Sequence, residues 1–583
     1  MPIDRFREIW FVDFEFHKPD GEKPVPICMV AREYRSGHVI RMTAEELRRH
    51  QRTPFPTDPD VLVVAYYASA EMGCFLAMDW TLPANLLDLY VEFRNNTNGK
   101  PLPSGHGLLG ALVYHGLTAV PYTEKQAMRD LAIRGGPFTA DEMAQLLAYC
   151  ESDVLALRAL LPAMNPIDLD HALFRGRYMK AVARTEATGI PIDVNTLGRL
   201  RVSWDSIKGR LIETVGTNFV VVDDIGHVKY GIYDGNTFKA DRFAEFLGQN
   251  DIPWPRLKSG SLDLSDDTFR QMARTHPRVS ELRELRHALS QLRLEDLKVG
   301  RDGYNRCLLS PFQSRTGRNQ PSTSKFIFGS SVWLRGLIRP RPGRALAYID
   351  WSGQEYGIAA ALSGDGAMMA DYQTGDPYLT FAKHIGVVPP DATKKSHPDV
   401  REAFKVALGL GSMYGASAPT IATMIGQPTA YAEYLLCEHR QKYASFWAWC
   451  DAAVNTAMMH NRLWTVFGWQ IHVGAGTNPR SLSNFPMQAN GAEMMRLACI
   501  FVIEAGIRLC APVHDALLIE APVERIDDDI DKTRRLMAQA SRIVLNGFEL
   551  RTGVERVVYP ERYRDDNRGG PMWDRVMSLL PPM

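Results

Sequence analysis

Apolar residues recur in short alternating runs over residues 8–45, broken by turn formers, and predict a set of strands. "VLVVAYY" (61–67) is an unbroken apolar run of strand length and predicts a buried strand. Helical spacing follows to about residue 162, so the first part of the chain predicts one α/β unit; "MNPID" at 164–168 interrupts it and predicts a boundary. Residues 170–300 predict mostly helix, most clearly at "ELRELRHALSQLRLEDL". "ALAYID" (345–350) predicts a strand ending on an acid. Residues 399–460 predict helix, "LCAPVHDALLIEAP" predicts two short strands about a turn, and 524–545 predicts a long helix.

Composition narrows the class. A chain of 583 residues predicts two to four domains, and 45% apolar with 23% charged residues is ordinary for a globular protein. The formal net charge is zero, which argues against a uniformly basic surface. Charge is clustered, however: "LRGLIRPRPGR" carries four arginines, and 282–306 is rich in Arg and Lys. Such runs read first as solvated faces, with a local phosphate track as the alternative. The eight cysteines form no CxxC pair, which points to reduced thiols rather than a disulfide framework or a zinc site. No apolar run is long enough to span a bilayer and the N-terminus lacks a signal-peptide pattern, so a cytoplasmic protein without a membrane partner is expected.

The candidate chemistry lies in acids at strand ends. Asp350 ends one predicted strand and Asp515 sits at the turn between two others, so both can reach one edge of a sheet. Two such carboxylates repel unless cations lie between them, and Mg²⁺ prefers oxygen ligands of this kind. Arg401 and Lys405 are one helical turn apart and can reach a single polyphosphate. Arg480, Asn484 and Gln488 are spaced by four and form one helix stripe. Near the N-terminus, Asp13 and Glu15 of "FVDFEF" point to one face of a strand, and Tyr149 and Asp153 of "YCESD" to one face of a helix.

Taken together these segments resemble the family A (DNA polymerase I-like) DNA polymerases. "DWSGQE" (350–355) is similar to that family's motif A, "REAFKVALGLGSMYG" to motif B and "VHDA" to motif C. "SRTGR" (314–318), "RSLSNFPMQANGAEMMR" (480–496) and "MWDRV" near the C-terminus resemble further family elements in the family's order. The resemblance implies an RNase H-like exonuclease domain followed by a right-hand polymerase, α/β and α+β in class. The expected layout is 1–165 exonuclease-like, 166–310 thumb and connecting helices, 311–390 first part of the palm, 391–475 fingers and 476–583 second part of the palm. It implies that Asp350, Asp515 and the Trp351 carbonyl ligate two Mg²⁺ (Mn²⁺ able to replace it), and that Glu355 excludes a ribose 2′-hydroxyl. Arg401, Lys405, Leu410, Tyr414 and His514 would meet the incoming dNTP. Arg318, Arg480, Asn484 and Gln488 would test minor-groove acceptors, which are nearly alike in all base pairs. The partners implied are a DNA primer-template and dNTPs, bound by a monomer.

The N-terminal unit resembles the DEDDy 3′–5′ exonucleases, the proofreading domain of many family A enzymes. Asp13, Glu15 and Asp153 would ligate metal and Tyr149 would orient the attacking water. The family's middle Asp is replaced by Glu71, and Asp88 would hold a secondary role. Since the chain opens on this unit, no 5′-nuclease domain is expected, and a compact bacteriophage replicase is the nearest type. The competing readings are an exonuclease whose C-terminal half only grips DNA, and a relative of the single-subunit RNA polymerases.

Two departures stand out. Ala516 replaces the second acid of motif C, which leaves Asp515 as the metal ligand there. Lys405 to Tyr414 is nine steps where the family has eight, which predicts a π-bulge or unwinding within 406–412 to restore helical phase. The family's aromatic that packs on the sugar would then correspond to Leu410.

Overall fold

A computed structural model describes residues 2–118, 122–166, 168–276, 278–290, 294–413, 415–474, 476–566 and 569–581. The chain divides into two compact units: Met1–Thr188 with Leu309–Gln320 and Leu346–Arg556, and Gly189–Leu308 with Pro321–Ala345 and Val557–Met583.

The first unit opens with strands β1 (Glu8–His17), β2 (Val25–Glu33), β3 (Val39–Thr43), β4 (Val61–Ala65) and β5 (Asn85–Asp88) in the order β3-β2-β1-β4-β5. β1 runs antiparallel to β2 and parallel to β4, which is parallel to β5. All five residues of β4 are buried, as expected for a parallel strand covered on both faces. Ile9 and Phe11 share a core with Leu146, Cys150, Val154 and Leu157 of the helix Ala140–Met164. Asp13 and Glu15 have the same parity, so the two-residue period carries them to the face that this helix crosses. A capping box fixes the helix start: Thr139 Oγ1 accepts from the Glu142 N–H at 3.2 Å, and Glu142 accepts from the Thr139 N–H at 2.8 Å. The helix ends at Asn165, whose φ is 41°, inside the predicted break. The next helix, Leu169–Thr188, nevertheless stays with the first unit. It lies so close to β5 that a Cβ at Gly176 would fall 1.8 Å from the Leu86 carbonyl oxygen.

A second sheet in this unit has the order β7-β8-β6-β9, with β6 Arg344–Trp351, β7 Leu509–Val513, β8 Ala516–Pro522 and β9 Thr552–Val558. The predicted strand pair at 509–522 is the β7–β8 hairpin, closed by Val513 against Ala516, with His514 and Asp515 as its two loop residues. His514 adopts φ 54°, the left-handed value that two-residue hairpin loops require. The helix Pro479–Glu504 packs beside this sheet and is buried almost all round between Ala489 and Ile500, as its apolar sequence dictates.

Helices run over Pro398–Phe404, Ala418–Ile425, Thr429–Lys442 and Ala444–His460, with a π-helix at Lys405–Ser412 between the first two. The Met413 N–H reaches back five residues to the Leu408 carbonyl at 3.4 Å, the π pattern. The bulge expected from the nine-step spacing is therefore present.

The second unit contains the helix Val194–Gly216 and an aromatic core of Phe219, Phe243, Phe246, Trp254 and Phe269. Residues 170–300 are mostly helical, as expected, but Val220–Val222 pairs with Val228–Gly231, and Tyr233–Asp234 with Thr237–Phe238. The β-branched run "VVV", the Asp223–Gly226 turn and the Asp234-Gly235 turn favour hairpins there. The arginine run is tied down inside this unit: Arg335 pairs with Asp565 at 3.4 Å, Arg339 with Asp193 at 2.9 Å, and Arg341 lies 4.3 Å over the Tyr304 ring. Arg286 is likewise sandwiched on Phe238 and Phe269.

Candidate active site

Asp350 and Asp515 meet at one edge of the second sheet. The Trp351 N–H donates to the Asp515 carbonyl oxygen at 3.1 Å, which sets the residues after and at the two acids side by side. Burial, with Asp350 and Glu355 adding repulsion, pushes the Asp515 carboxyl up to about 6, and Arg318 opposes the shift. Glu355 begins the helix Gln354–Ser363 and pairs with Arg318 at 3.5 Å. β9 passes beside Asp350 at Gly553, where a Cβ would lie 2.6 Å from Asp350 Oδ1. Only glycine leaves room for the carboxylate in this pose, and the sequence reading missed it. Ala516 is fully buried at the start of β8, so an apolar residue suits the place where a second acid was looked for.

The loop carrying Arg318 is held from several sides. Arg496 donates to the Gly317 carbonyl at 2.7 Å, Asn98 and the Trp469 indole donate to the Arg315 carbonyl at 2.7 and 3.0 Å, and Arg94 donates to the Gln313 carbonyl at 2.6 Å. Arg94, Asn98 and Arg496 position Arg318 without touching a substrate, and no spacing rule marks them. Arg480, Asn484 and Gln488 share the helix Pro479–Glu504 as expected. Arg480 lies along Gly415, and Asn484 Oδ1 is buried with no partner among the described residues.

Arg401 lies on the helix Pro398–Phe404 and Lys405 opens the π-helix. Arg401 is ion-paired with Asp376, and Glu402 lies 3.8 Å from Arg401 and 3.7 Å from Lys405. Tyr378, unremarked in the sequence, fills the space between these groups. Its hydroxyl is 2.9 Å from where a Gly409 Cβ would sit, and its ring meets Tyr356 edge-on at 6.0 Å. Burial, then Glu355, pushes its phenol up to about 12, with Arg401 opposing. Leu410 lies within the π-helix, His514 is exposed in the hairpin turn, and Tyr414 falls outside the described residues.

A second acidic cluster forms on the first sheet. Asp13, Glu15, Glu71, Tyr149 and Asp153 come together. Burial and then Asp153 raise Asp13 to about 7, and burial and then Asp13 raise Glu15 to about 10. Glu71 is pushed up by burial and by Asp13, and the Tyr149 phenol by burial and by Asp153. Asp13 Oδ2 and Glu71 Oε2 are buried without partners among the described residues. Lys125 reaches Asp153 at 3.3 Å and lies 5.8 Å over the Tyr149 ring. Asp88 is a different kind of acid: it accepts N–H bonds from Tyr67, Ala68, Tyr90 and Val91, which saturates it as a helix cap. A 220 Å³ cavity lined by Leu108, Leu112 and Ala156 opens beside Asp153 and Lys125.

No three His, Cys, Asp or Glu side chains among the described residues form a ready-made metal cage. Both clusters still fit divalent cations by their chemistry: oxygen donors, mutual repulsion, and orphaned carboxylate oxygens in the N-terminal one.

The site thus consists of a sheet with two acids at its edge, a buried flanking helix and an adjoining helical segment with Arg and Lys. Residues 327–555 match the family model of DNA polymerase family A. The chain is 25% identical over 399 residues to the thermostable DNA polymerase I of Thermus thermophilus, covering 62% of this chain and 45% of that protein. It is 30% identical over 381 residues to the thermostable DNA polymerase I of Thermus caldophilus (59% and 42%), and 26% over 260 residues to the DNA polymerase of Mycobacterium phage D29 (43% and 42%). The matched stretches thus span less than half of each of these relatives. In fold the chain is similar to the POL domain of Pol1 from M. smegmatis, solved in complex with DNA primer-template and dNTP. The TM-score is 0.71 at 17% identity, covering 94% of this chain and 95% of that one. Among the described residues no helix is long and apolar enough to cross a membrane.

Proposed function

We propose that the chain is a template-directed DNA polymerase, a nucleotidyltransferase that extends a DNA primer with dNTPs, and that its N-terminal cluster is a 3′–5′ exonuclease that proofreads. The observation that carries the polymerase reading is the meeting of Asp350 and Asp515 beside Glu355 and Arg318. Asp350, Asp515 and the Trp351 carbonyl would hold two Mg²⁺. When bound, Mg²⁺ supplies an acidified primer 3′-hydroxyl and neutralises charge on the triphosphate and leaving pyrophosphate. Arg401 and Lys405 bind the triphosphate oxygens, and Glu355 closes the space beside the sugar C2′. Arg318, Arg480, Asn484 and Gln488 hold the duplex through acceptors common to all pairs. Residues 391–475 act as fingers that close on a correct nucleotide.

For the N-terminal cluster, Asp13, Glu15, Glu71 and Asp153 would share the cations, and the Tyr149 phenol orients a water toward the terminal phosphodiester. The two orphaned carboxylate oxygens support this reading, since a buried acceptor without a partner is costly unless a cation meets it. The phage D29 relative supports a role in bacteriophage DNA replication, in the host cytoplasm. The deciding experiment is one labelled primer-template with Mg²⁺, each dNTP offered separately. Extension only by the dNTP complementary to the template supports the proposal; extension by rNTPs without a primer, or digestion alone, refutes it.

A further inference from the structure

Resting on that polymerase reading, we propose that Asp376 is a built-in stand-in for the nucleotide's phosphate: it pairs with the Arg401 guanidinium, and an incoming triphosphate must displace it. Asp376 is not among the polymerase motifs, and its role follows from its place in the fold. It caps the helix Pro377–His384, accepting the Leu379 N–H at 3.2 Å with one oxygen. Its other oxygen takes Arg401 Nε. Both side chains are about one-fifth exposed, so the pair is only partly screened by water.

Three features make this a competition rather than a mere brace. Arg401 Nε, which would donate to a phosphate oxygen, is the atom that Asp376 occupies, so the two acceptors exclude each other there. The capping oxygen is separate from the pairing oxygen, so Arg401 can leave without unseating the helix. Finally, Tyr378, two residues on, sits in the fields of Glu355 and Arg401 and packs on Gly409 of the π-helix. Asp376 therefore caps the helix whose second residue, Tyr378, packs on the π-helix that opens at Lys405. A ligand that binds only the released state has its apparent affinity lowered by the fraction of protein in that state.

The test is Asp376→Asn, which keeps a good helix cap while removing the charge. With the full chain on primer-template, the KM for the correct dNTP should fall about three- to tenfold, the range expected for losing a partly screened competing pair. The change should lie in KM rather than kcat, and inorganic tripolyphosphate should inhibit the variant at correspondingly lower concentration. Arg401→Gln separates the two claims, because it should raise KM and abolish the effect of Asp376→Asn in the double variant. If Arg401→Gln raises KM but Asp376→Asn leaves it unchanged or raises it, Asp376 orients Arg401 rather than competing for it, and this inference is wrong while the polymerase reading stands. If Arg401→Gln has no effect on dNTP use, Arg401 takes no triphosphate and this inference falls, while the extension itself still supports the polymerase reading.

Discussion

The N–H of Trp351 donates to the carbonyl of Asp515 at 3.1 Å, across 163 residues of intervening chain. That single bond puts the end of β6 against the β7–β8 turn. From it follows a prediction about Gly553, the β9 residue that lies under Asp350. Gly553→Ala should force the Asp350 carboxylate aside, because its Cβ would meet Oδ1 at 2.6 Å. Misplacing a reacting group by about 1 Å costs about 10²-fold in rate, so kcat should fall by that order. Steady-state extension measures it, and unchanged circular dichroism would show that the fold survives.

Glu355 should set sugar selectivity. Glu355→Ala opens the space beside C2′ and frees Arg318 from its 3.5 Å partner. The ratio of rNTP to dNTP incorporation should rise by about 10²-fold, as expected when a built-in rejecting contact worth roughly 3 kcal/mol is removed. Competition between labelled rNTP and dNTP at one template position reads this ratio directly.

The N-terminal cluster predicts a pH dependence whose sign is fixed. Asp13 is raised to about 7 and Glu15 to about 10 by burial and mutual repulsion, above their values in an unfolded chain. A carboxyl raised on folding holds its proton more tightly in the native state, so its stabilising effect is present at low pH and is lost as pH rises from about 4 through 7 for Asp13 and on through about 10 for Glu15. Metal-free protein should therefore melt at lower temperature at pH 8 than at pH 6, and Mg²⁺ should restore the loss. Asp13→Asn should flatten both effects. A thermal scan at several pH values, with and without Mg²⁺, checks this.

Digestion and extension should separate. Tyr149→Phe keeps the ring that Lys125 overlies but removes the hydroxyl. Release of nucleotides from a single-stranded 3′ end should fall about 10²-fold, in the range of a lost positioning or proton-handling group, while extension continues. A time course on single-stranded and primed substrates distinguishes the two.

How much of this was readable in the chain depends on the range of the contact. Asp350 at a strand end and Asp515 in a hairpin turn are local features, and their alternating and turn patterns predict them. The π-helix at Lys405–Ser412 was readable because a one-residue excess has a fixed angular cost in a helix. Asp376, Tyr378, Gly553 and Arg496 were not. Their roles come from meetings across tens to hundreds of residues, to which helix and strand periods are blind. The pairs at 220–238 were missed because their runs of two to four residues are too short to show a period. The net charge of zero says nothing of where each arginine goes, and several of the clustered arginines are spent on partners within their own unit.

Replacing Asp515 by Asn and following one labelled primer-template with Mg²⁺ and dNTPs tests the central claim most directly. Extension should drop by at least about 10³-fold, as for a lost group on which transition-state stabilisation depends, while 3′-end digestion in the same reaction persists. Extension at the wild-type rate would contradict the account, because the carboxylate that meets Asp350 would then have no part in the chemistry.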